Sequence, residues 1–276
     1  MYNKFLVVAS KQDLAGVNIT TQLSQFRKNF FIEGTDIKKF FDFYLIDDSI
    51  LHTGNLAPNK IDDYDFIIFA SKHSSEKKEK TLSIHAPGNW GRADLGGASG
   101  KICKTSALFQ KQTLQKLKSN ARKNRLDKHY KITMEVTHHG PLINKPCFFI
   151  EIGSTETEWK DRRAGFVIAK TIAEIILEFK ENPYSEIGIG IGGPHYCPNF
   201  TKLQLNSNVA FSHVIPQYAM PITEEMIREA WEKTEEEVDF AVVDWKGLGV
   251  SEERKKVIAF LEKNNLPWKK TKDIKR

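Results

Sequence analysis

This sequence predicts a three-layer α/β/α fold with a mostly parallel central sheet, and three observations lead there. Short apolar or β-branched runs of strand length recur along the 276 residues, separated by stretches with helical periodicity. Most of these runs are apolar almost throughout, as strands covered on both faces must be. Hydrophobic residues make up 40% of the chain, enough to fill a sizeable core without disulfides.

The first strand fits residues 5–9 and is followed by a helix beginning near Asp13. Further strands fit residues 40–46, 64–70, 81–85, 131–137, 147–152, 186–191, 209–214 and 238–243. Helices fit residues 106–124, 158–180, 223–237 and 251–264. Thr223 leads Glu224-Glu225 and Ser251 leads Glu252-Glu253, the hydroxyl-then-acid order of a helix start. No internal repeat or Pro- or Ser-rich linker interrupts the chain. Residues 1–276 therefore read as one α/β domain, with a basic tail at 269–276 expected to fray. Residues 86–101 break the rhythm: Gly88, Gly91, Gly96, Gly97 and Gly100 surround Trp90 and Arg92. Such a loop is usually functional or mobile. It is not a Walker loop, because Leu95 stands where that motif needs Gly, and Ile102 where it needs Ser or Thr.

No apolar run approaches the ~20 residues that cross a bilayer, and the N-terminus enters the first strand without a signal-peptide pattern. Cys103, Cys147 and Cys197 are odd in number and scattered, which predicts no disulfide framework and a reducing, cytoplasmic setting. No protein partner is implied beyond a monomer or small homo-oligomer. The net charge is +6 and unevenly spread: residues 101–131 hold ten basic residues and one acid, Asp127. Residues 224–239 hold eight acids against Arg228 and Lys233, and residues 187–223 contain no acid. A Lys-rich helix reads equally as a solvated face or as a surface that releases counterions from RNA phosphates.

Chemistry gathers in the histidines. His85, His138, His195 and His213 each stand at or near a predicted strand end beside turn residues, and His73 does much the same. In an open α/β sheet the ligand crevice lies outside the carboxyl ends of the strands, so the pattern predicts imidazoles delivered to one rim. Any one of them reads as a hydrogen-bonded structural residue; the set reads as a site. Glu135 and Glu151 interrupt apolar runs, where a carboxylate is costly unless paired or bound to a cation. Imidazole with carboxylate suits Zn²⁺, or Fe²⁺ in a two-His-one-carboxylate set. No His-Glu-x-x-His or Cys-x-x-Cys occurs, so the ligands would converge from separate strands. Extended backbone would send His138 and His139 to opposite faces, leaving one of them for the metal. A catalytic metal activates water as the nucleophile, and a remaining His or Glu, with Glu135 a candidate, serves as acid or base.

Residues 188–193 formally satisfy G-x-G-x-x-G, but Pro194-His195-Tyr196 follows instead of a helix start. Glycines there, Gly192 and Gly193 included, read better as admitting close approach of a substrate. Cys197 reads as a packed thiol rather than a nucleophile.

Several blocks resemble the D-aminoacyl-tRNA deacylases of archaeal and plant type. They are Ser71-Lys72-His73, Ile84-His85-Ala86-Pro87-Gly88-Asn89, Thr137-His138-His139-Gly140-Pro141, Glu151-Ile152-Gly153-Ser154 with Trp159, Gly190-Ile191-Gly192-Gly193-Pro194-His195-Tyr196, and Asp244-Trp245-Lys246-Gly247-Leu248. They run in family order over nearly the whole chain. The resemblance implies a hydrolase that cuts the ester of D-aminoacyl-tRNA to free tRNA and D-amino acid, using one or two Zn²⁺. It also implies a fold related to the phosphorylase and peptidyl-tRNA hydrolase folds, and the acceptor end of a D-aminoacylated tRNA as partner. The resemblance carries over His85, His138, His139, Glu151, His195 and Tyr196 as site residues without assigning individual metal ligands. Taken with the reading of the residues, the expected site has His138, His139 and Glu135 as catalytic residues and His85, Glu151 and His195 at the metal. Gly192, Gly193, Tyr196, Trp90 and Lys72 are expected at the substrate, with Trp90 or Tyr196 receiving the terminal base and the basic helix tracking the acceptor stem. Ser212 stands where the family pattern has Gly before His213. The rival readings are a zinc exopeptidase or amidase, a non-haem iron dioxygenase, and a non-catalytic RNA-binding protein.

Overall fold

Two sheets meet along one seam in the computed structural model, which describes residues 2–29, 31–32, 35–36, 40–53, 56, 61–181 and 185–275. The chain opens with β1 (Phe5–Ser10) and α1 (Leu14–Asn29), then a two-stranded ribbon of β2 (Phe31–Ile32) and β3 (Thr35–Asp36). It continues through β4 (Phe41–Ile46), β5 (Phe66–Ser74), β6 (Thr81–His85), α2 (Ala107–Lys123), β7 (Lys131–Met134) and β8 (Cys147–Ser154). A short α3 (Glu156–Trp159) and a longer α4 (Arg162–Glu178) follow. The second half comprises β9 (Glu186–Ile191), α5 (Pro198–Asn206), β10 (Val209–Ile215), α6 (Glu224–Glu232), β11 (Phe240–Val243), α7 (Ser251–Lys263) and β12 (Trp268–Lys270). The larger sheet has the order β4-β1-β5-β8-β6-β7, and the smaller has β10-β9-β11-β12. Every neighbour pair in these two sheets is parallel except β6 with β8. The expected mostly parallel α/β architecture is therefore what the chain adopts.

Side-chain alternation divides the larger sheet's two faces. Ile68, Ala70, Phe148, Ile150, Leu82 and Ile84 point into a core closed by α1, α2 and α4, through residues such as Ile19, Phe109 and Ile168. Ile67, Phe69, Cys147 and Phe149 point the other way, into a smaller cluster closed, among the described residues, by Ile46, Ile50, Leu56, Ile61 and Ile143 rather than by a long helix. That second face is where polar groups enter. The smaller sheet packs α6 and α7 on one face through Ile227, Ala230, Val257 and Phe260. On its other face, Phe200 and Leu203 of α5 join Val209, Phe211 and Val242 in the main core.

Residues 135–137 explain why β7 is shorter than the expected 131–137. Glu135 N–H still donates to Ile84 O at 2.9 Å, but Val136 N–H turns to His195 O at 2.9 Å and Thr137 N–H to Val214 O at 3.0 Å. The chain stays buried while changing sheets, so its composition carries no sign of the break. The expected helix at 158–180 is two pieces. Thr155 and Glu158 form a capping box for α3, and the Asp161 carboxylate caps α4 by accepting from Arg163 and Ala164 N–H.

The expectation of a frayed tail is corrected: β12 lies parallel to β11, and Ile274 is buried. An edge strand needs backbone partners more than apolar side chains. The lysine stems help here too, with Lys269 Nζ 2.7 Å from Glu186 and 3.7 Å from the Phe240 ring centre. The glycine-rich segment at 86–101 is buried over residues 86–90 and mostly exposed beyond them. Gly96, at φ 77°, lies so close to Leu51 O that a Cβ would sit 1.6 Å from it. Among the described residues, no helix is long and apolar enough to cross a membrane.

Candidate active site

Strand register assembles the site. Ser71 of β5 pairs with Glu151 of β8, which pairs with Ser83 of β6. One step along, Phe69, Phe149 and His85 align; one step the other way, His73, Gly153 and Thr81 do. Partners in register share a face, so His73, Glu151 and His85 project together onto the same face as Phe69 and Phe149. The expected rim arrangement is corrected accordingly. β6 runs against β8, so the carboxyl ends of these strands point in opposite directions, and the imidazoles meet across a sheet face at the seam.

His138, His139, Glu135 and His195 arrive from the crossing between sheets. His138 and His139 were expected on opposite sides, yet their ring centres are 4.3 Å apart. His139 has φ 46°, a left-handed conformation costly for a side chain of this size, and it turns both rings inward. The His85 ring lies 4.1 Å from His138 and 4.8 Å from His139, centre to centre. Each of the three commits Nδ1 to a backbone carbonyl: His85 to Ala86 at 3.1 Å, His138 to Val136 at 2.8 Å, His139 to Gly140 at 2.7 Å. A carbonyl can only accept, so Nδ1 carries the proton and each Nε2 keeps a lone pair.

A second group lies beside the first. Glu135 Oε2 accepts from His195 Nε2 at 2.8 Å and lies 3.2 Å from His73 Nδ1 and 3.6 Å from His138 Nε2. Glu151 Oε2 lies 3.5 Å from His85 Nε2 and 3.7 Å from His73 Nδ1. The Tyr196 hydroxyl holds His73 Nε2 at 2.9 Å.

Burial separates the titrations. It pulls His85 down to about 4 and His139 to about 3, and it holds His138 well below its ordinary value, with neighbouring imidazoles adding to the effect. Burial opposes protonation of His73 too, but the Glu135 bond and the Glu135 and Glu151 charges outweigh it and push the group up to about 9. Glu135 resists its own burial through the bonds from His195 and His73 and stays well below the usual carboxylate range. Burial and the Glu135 charge raise Glu151 well above that range.

Three groups of side chains could hold a metal ion, with ligand atoms within 4.8 Å of one another: His85, His138 and His139; His73, Glu135 and His195; and His85, Glu135 and Glu151. His85 Nε2, Glu135 Oε1 and Glu151 Oε2 are buried without a hydrogen-bond partner, as donors to a cation would be. Neutral imidazoles with Nδ1 locked on carbonyls are the form in which histidine binds metal. The residues fit a divalent ion. Of the expected His85, Glu151 and His195 set, His85 and Glu151 share one group and His195 falls in another.

The remaining expected residues are placed as follows. Lys72 lines a cavity of about 470 Å³ with Asp13, Ser71, His73, His138, His139, Glu151 and His195. Trp90 lines a second cavity of about 420 Å³, also walled by His138 and His139, but its indole N–H is spent on Thr137 O at 2.9 Å and its body is core. Tyr196 is buried against His73 rather than presented for stacking. Gly192 and Gly193, at φ 96° and 91°, approach Asp244 and Leu248 of their own chain.

His213 does not join the cluster. It is buried in β10, with Nδ1 3.2 Å from Thr137 Oγ1 and Nε2 3.3 Å from Lys233 O. Burial also pushes the Cys197 thiol up, which keeps it protonated. Sequence reasoning missed Tyr218, which is 59% exposed with its hydroxyl 3.5 Å from His195 Nδ1; a lone aromatic after Pro216 carries no motif.

The basic segment is also relocated. Phe109, Leu114 and Leu117 of α2 pack on the opposite sheet face from the imidazoles. Lys101, Lys104, Lys116 and Lys131 pair with Glu229, Glu235, Glu178 and Glu79. Lys111 is buried, with Nζ on the carbonyls of Gln204, Ser207 and Val209.

Comparison with known sequences supplies the lineage. The sequence model described as D-aminoacyl-tRNA deacylase matches residues 60–269. The chain belongs to the D-aminoacyl-tRNA deacylase family. A deacylase of Thermococcus onnurineus is 38% identical over 259 residues, covering 88% of this chain and 91% of its own. The Methanocaldococcus jannaschii deacylase is 33% identical over 274 residues, covering 97% and 99%. The crystal structure of AF0625, described as a conserved protein of unknown function, superposes with a TM-score of 0.86 at 31% identity, covering 99% of each chain.

Proposed function

We propose that this chain hydrolyses the ester of D-aminoacyl-tRNA at the imidazole cluster, with a divalent cation held by Nε2 of His85, His138 and His139. Family membership supports the activity, and the observation that carries the metal assignment is the set of three Nδ1–carbonyl bonds leaving three lone pairs convergent. Zinc suits that donor set. When bound, it would supply Lewis-acid polarisation of the ester and an acidified water. His73, Glu135 and His195 offer a second donor set should two ions bind.

The protein's own groups do the rest. Glu151, on the cavity wall and 3.5 Å from His85 Nε2, is placed to pass a proton to the departing ribose oxygen. Tyr196 and Glu135 keep His73 oriented and charged. The 470 Å³ cavity takes the aminoacyl group, and rejection of the L form would come from a steric or hydrogen-bond clash around Cα rather than from added affinity.

The test is His138→Ala. The ring is partly exposed and its Nδ1 bonds only to the carbonyl of Val136, two residues back, so fold and tRNA binding should persist while turnover drops by at least about 100-fold. Near-normal turnover by that variant would remove the assignment.

A further inference from the structure

We infer that the acceptor strand of tRNA crosses the carboxyl rim of the smaller sheet, over Trp245, Lys246, Arg254 and Lys270, and enters the site past Tyr218. This rests on the deacylase reading above and gives its RNA a path. The loop after β11 packs directly on the segment leading to His195, with Gly193 N–H on Gly247 O at 3.2 Å. Within that loop the Trp245 ring has Lys270 Nζ 4.0 Å and the Arg254 guanidinium 5.2 Å from its centre, a cation–π arrangement that fixes both charges. Lys246 is exposed beside them. Among the described residues none of these three cations has an acidic partner, and the nearby Glu252 and Glu253 are engaged by Lys256.

The path from this patch to the site is continuous. Gly249 abuts Met220, to which a Cβ would come within 3.0 Å. Met220 and Tyr218 line the 420 Å³ cavity together with His138 and His139. Residues 187–223, which include His195 and Tyr218, contain no acid to repel phosphate. An exposed aromatic beyond a row of cations is how single-stranded RNA is held: the cations take the backbone and the ring stacks a base. Tyr218 is then the platform for the terminal base. With His138 and His139 shared by both cavities, the base side and the amino-acid side lie on either side of the scissile ester.

The experiment measures initial rates on D-tyrosyl-tRNA against salt. Its arms are wild type, the Lys246→Glu/Lys270→Glu variant, Lys246→Glu alone, and a Lys118→Glu/Arg122→Glu/Lys123→Glu variant on α2. The double variant should raise KM about tenfold or more, with kcat little changed, and lower the salt slope by about two, since each phosphate contact contributes roughly one. Exposed Lys246 alone should give a smaller loss in the same direction, which guards against misfolding of the double variant. The α2 variant should stay within twofold. A KM increase confined to the α2 variant, or a double variant within twofold of wild type, would overturn the path while leaving the activity standing. Wild-type protein inert on this substrate would overturn both.

Discussion

Replacing Tyr196 by Phe removes one hydroxyl and nothing else, and the structure sets the size of the effect. That oxygen lies 2.9 Å from Nε2 of the buried His73. Because the Glu135 and Glu151 charges outweigh burial and push His73 up to about 9, both ring nitrogens carry protons near neutral pH in metal-free protein. The hydroxyl then accepts from a cation, a bond worth about 1.5–3 kcal/mol. A histidine with raised pKa contributes stability fully below its ordinary 6.5 and loses it as pH rises through about 9. Urea denaturation of chelator-treated protein should therefore show the Phe variant weaker by about 1.5–3 kcal/mol at pH 6. For a chain this long that is roughly 3–6 °C in Tm. At pH 10 the penalty should shrink to about 1 kcal/mol, the worth of a neutral bond. With metal bound, the same loss should lower activity about 10- to 100-fold through a less well oriented His73. An equal penalty at both pH values, or none at pH 6, would refute the assigned protonation of His73.

Acid should destabilise the protein early. His85, His139 and His213 are held neutral by burial, at about 4, 3 and 4. Unfolding therefore takes up protons below pH 6.5, and unfolding free energy should fall by roughly 1.4 kcal/mol per pH unit for each proton; a flat profile from pH 6.5 to 5 contradicts this. Lys111→Met leaves the carbonyls of Gln204, Ser207 and Val209 without their shared donor. The cost should be about 2–4 kcal/mol by urea denaturation, and a change below about 0.5 kcal/mol would deny Lys111 its role at the end of α5.

Much of the fold was legible because burial on both strand faces leaves a mark in composition. The runs around Val7, Ile68, Phe149 and Ile189 announce strands by themselves. The site was legible as a membership list: His85, His138, His139, His195, Glu135 and Glu151 all sit in the cluster. Their arrangement was not. Nothing local says that β6 runs against β8, and that single direction moves the site from a rim to a face. His213 carries the same local signature as His85, but its partners, Thr137 and Lys233, are distant in sequence. The left-handed turn at His139 likewise depends on contacts made by the folded chain. Charge counting misled for a related reason. Five of the ten basic residues at 101–131 are taken by acids or carbonyls far along the chain, whereas the cations around Trp245 stand apart in sequence and only converge on folding.

The most direct measurement incubates the purified protein with D-tyrosyl-tRNA and L-tyrosyl-tRNA, each with and without a chelator. Rapid release of tyrosine from the D form, little from the L form, and loss of the D activity on chelation that returns with added Zn²⁺ is the expected result. Equal release from both forms, or full activity after the metal has been stripped, would contradict it.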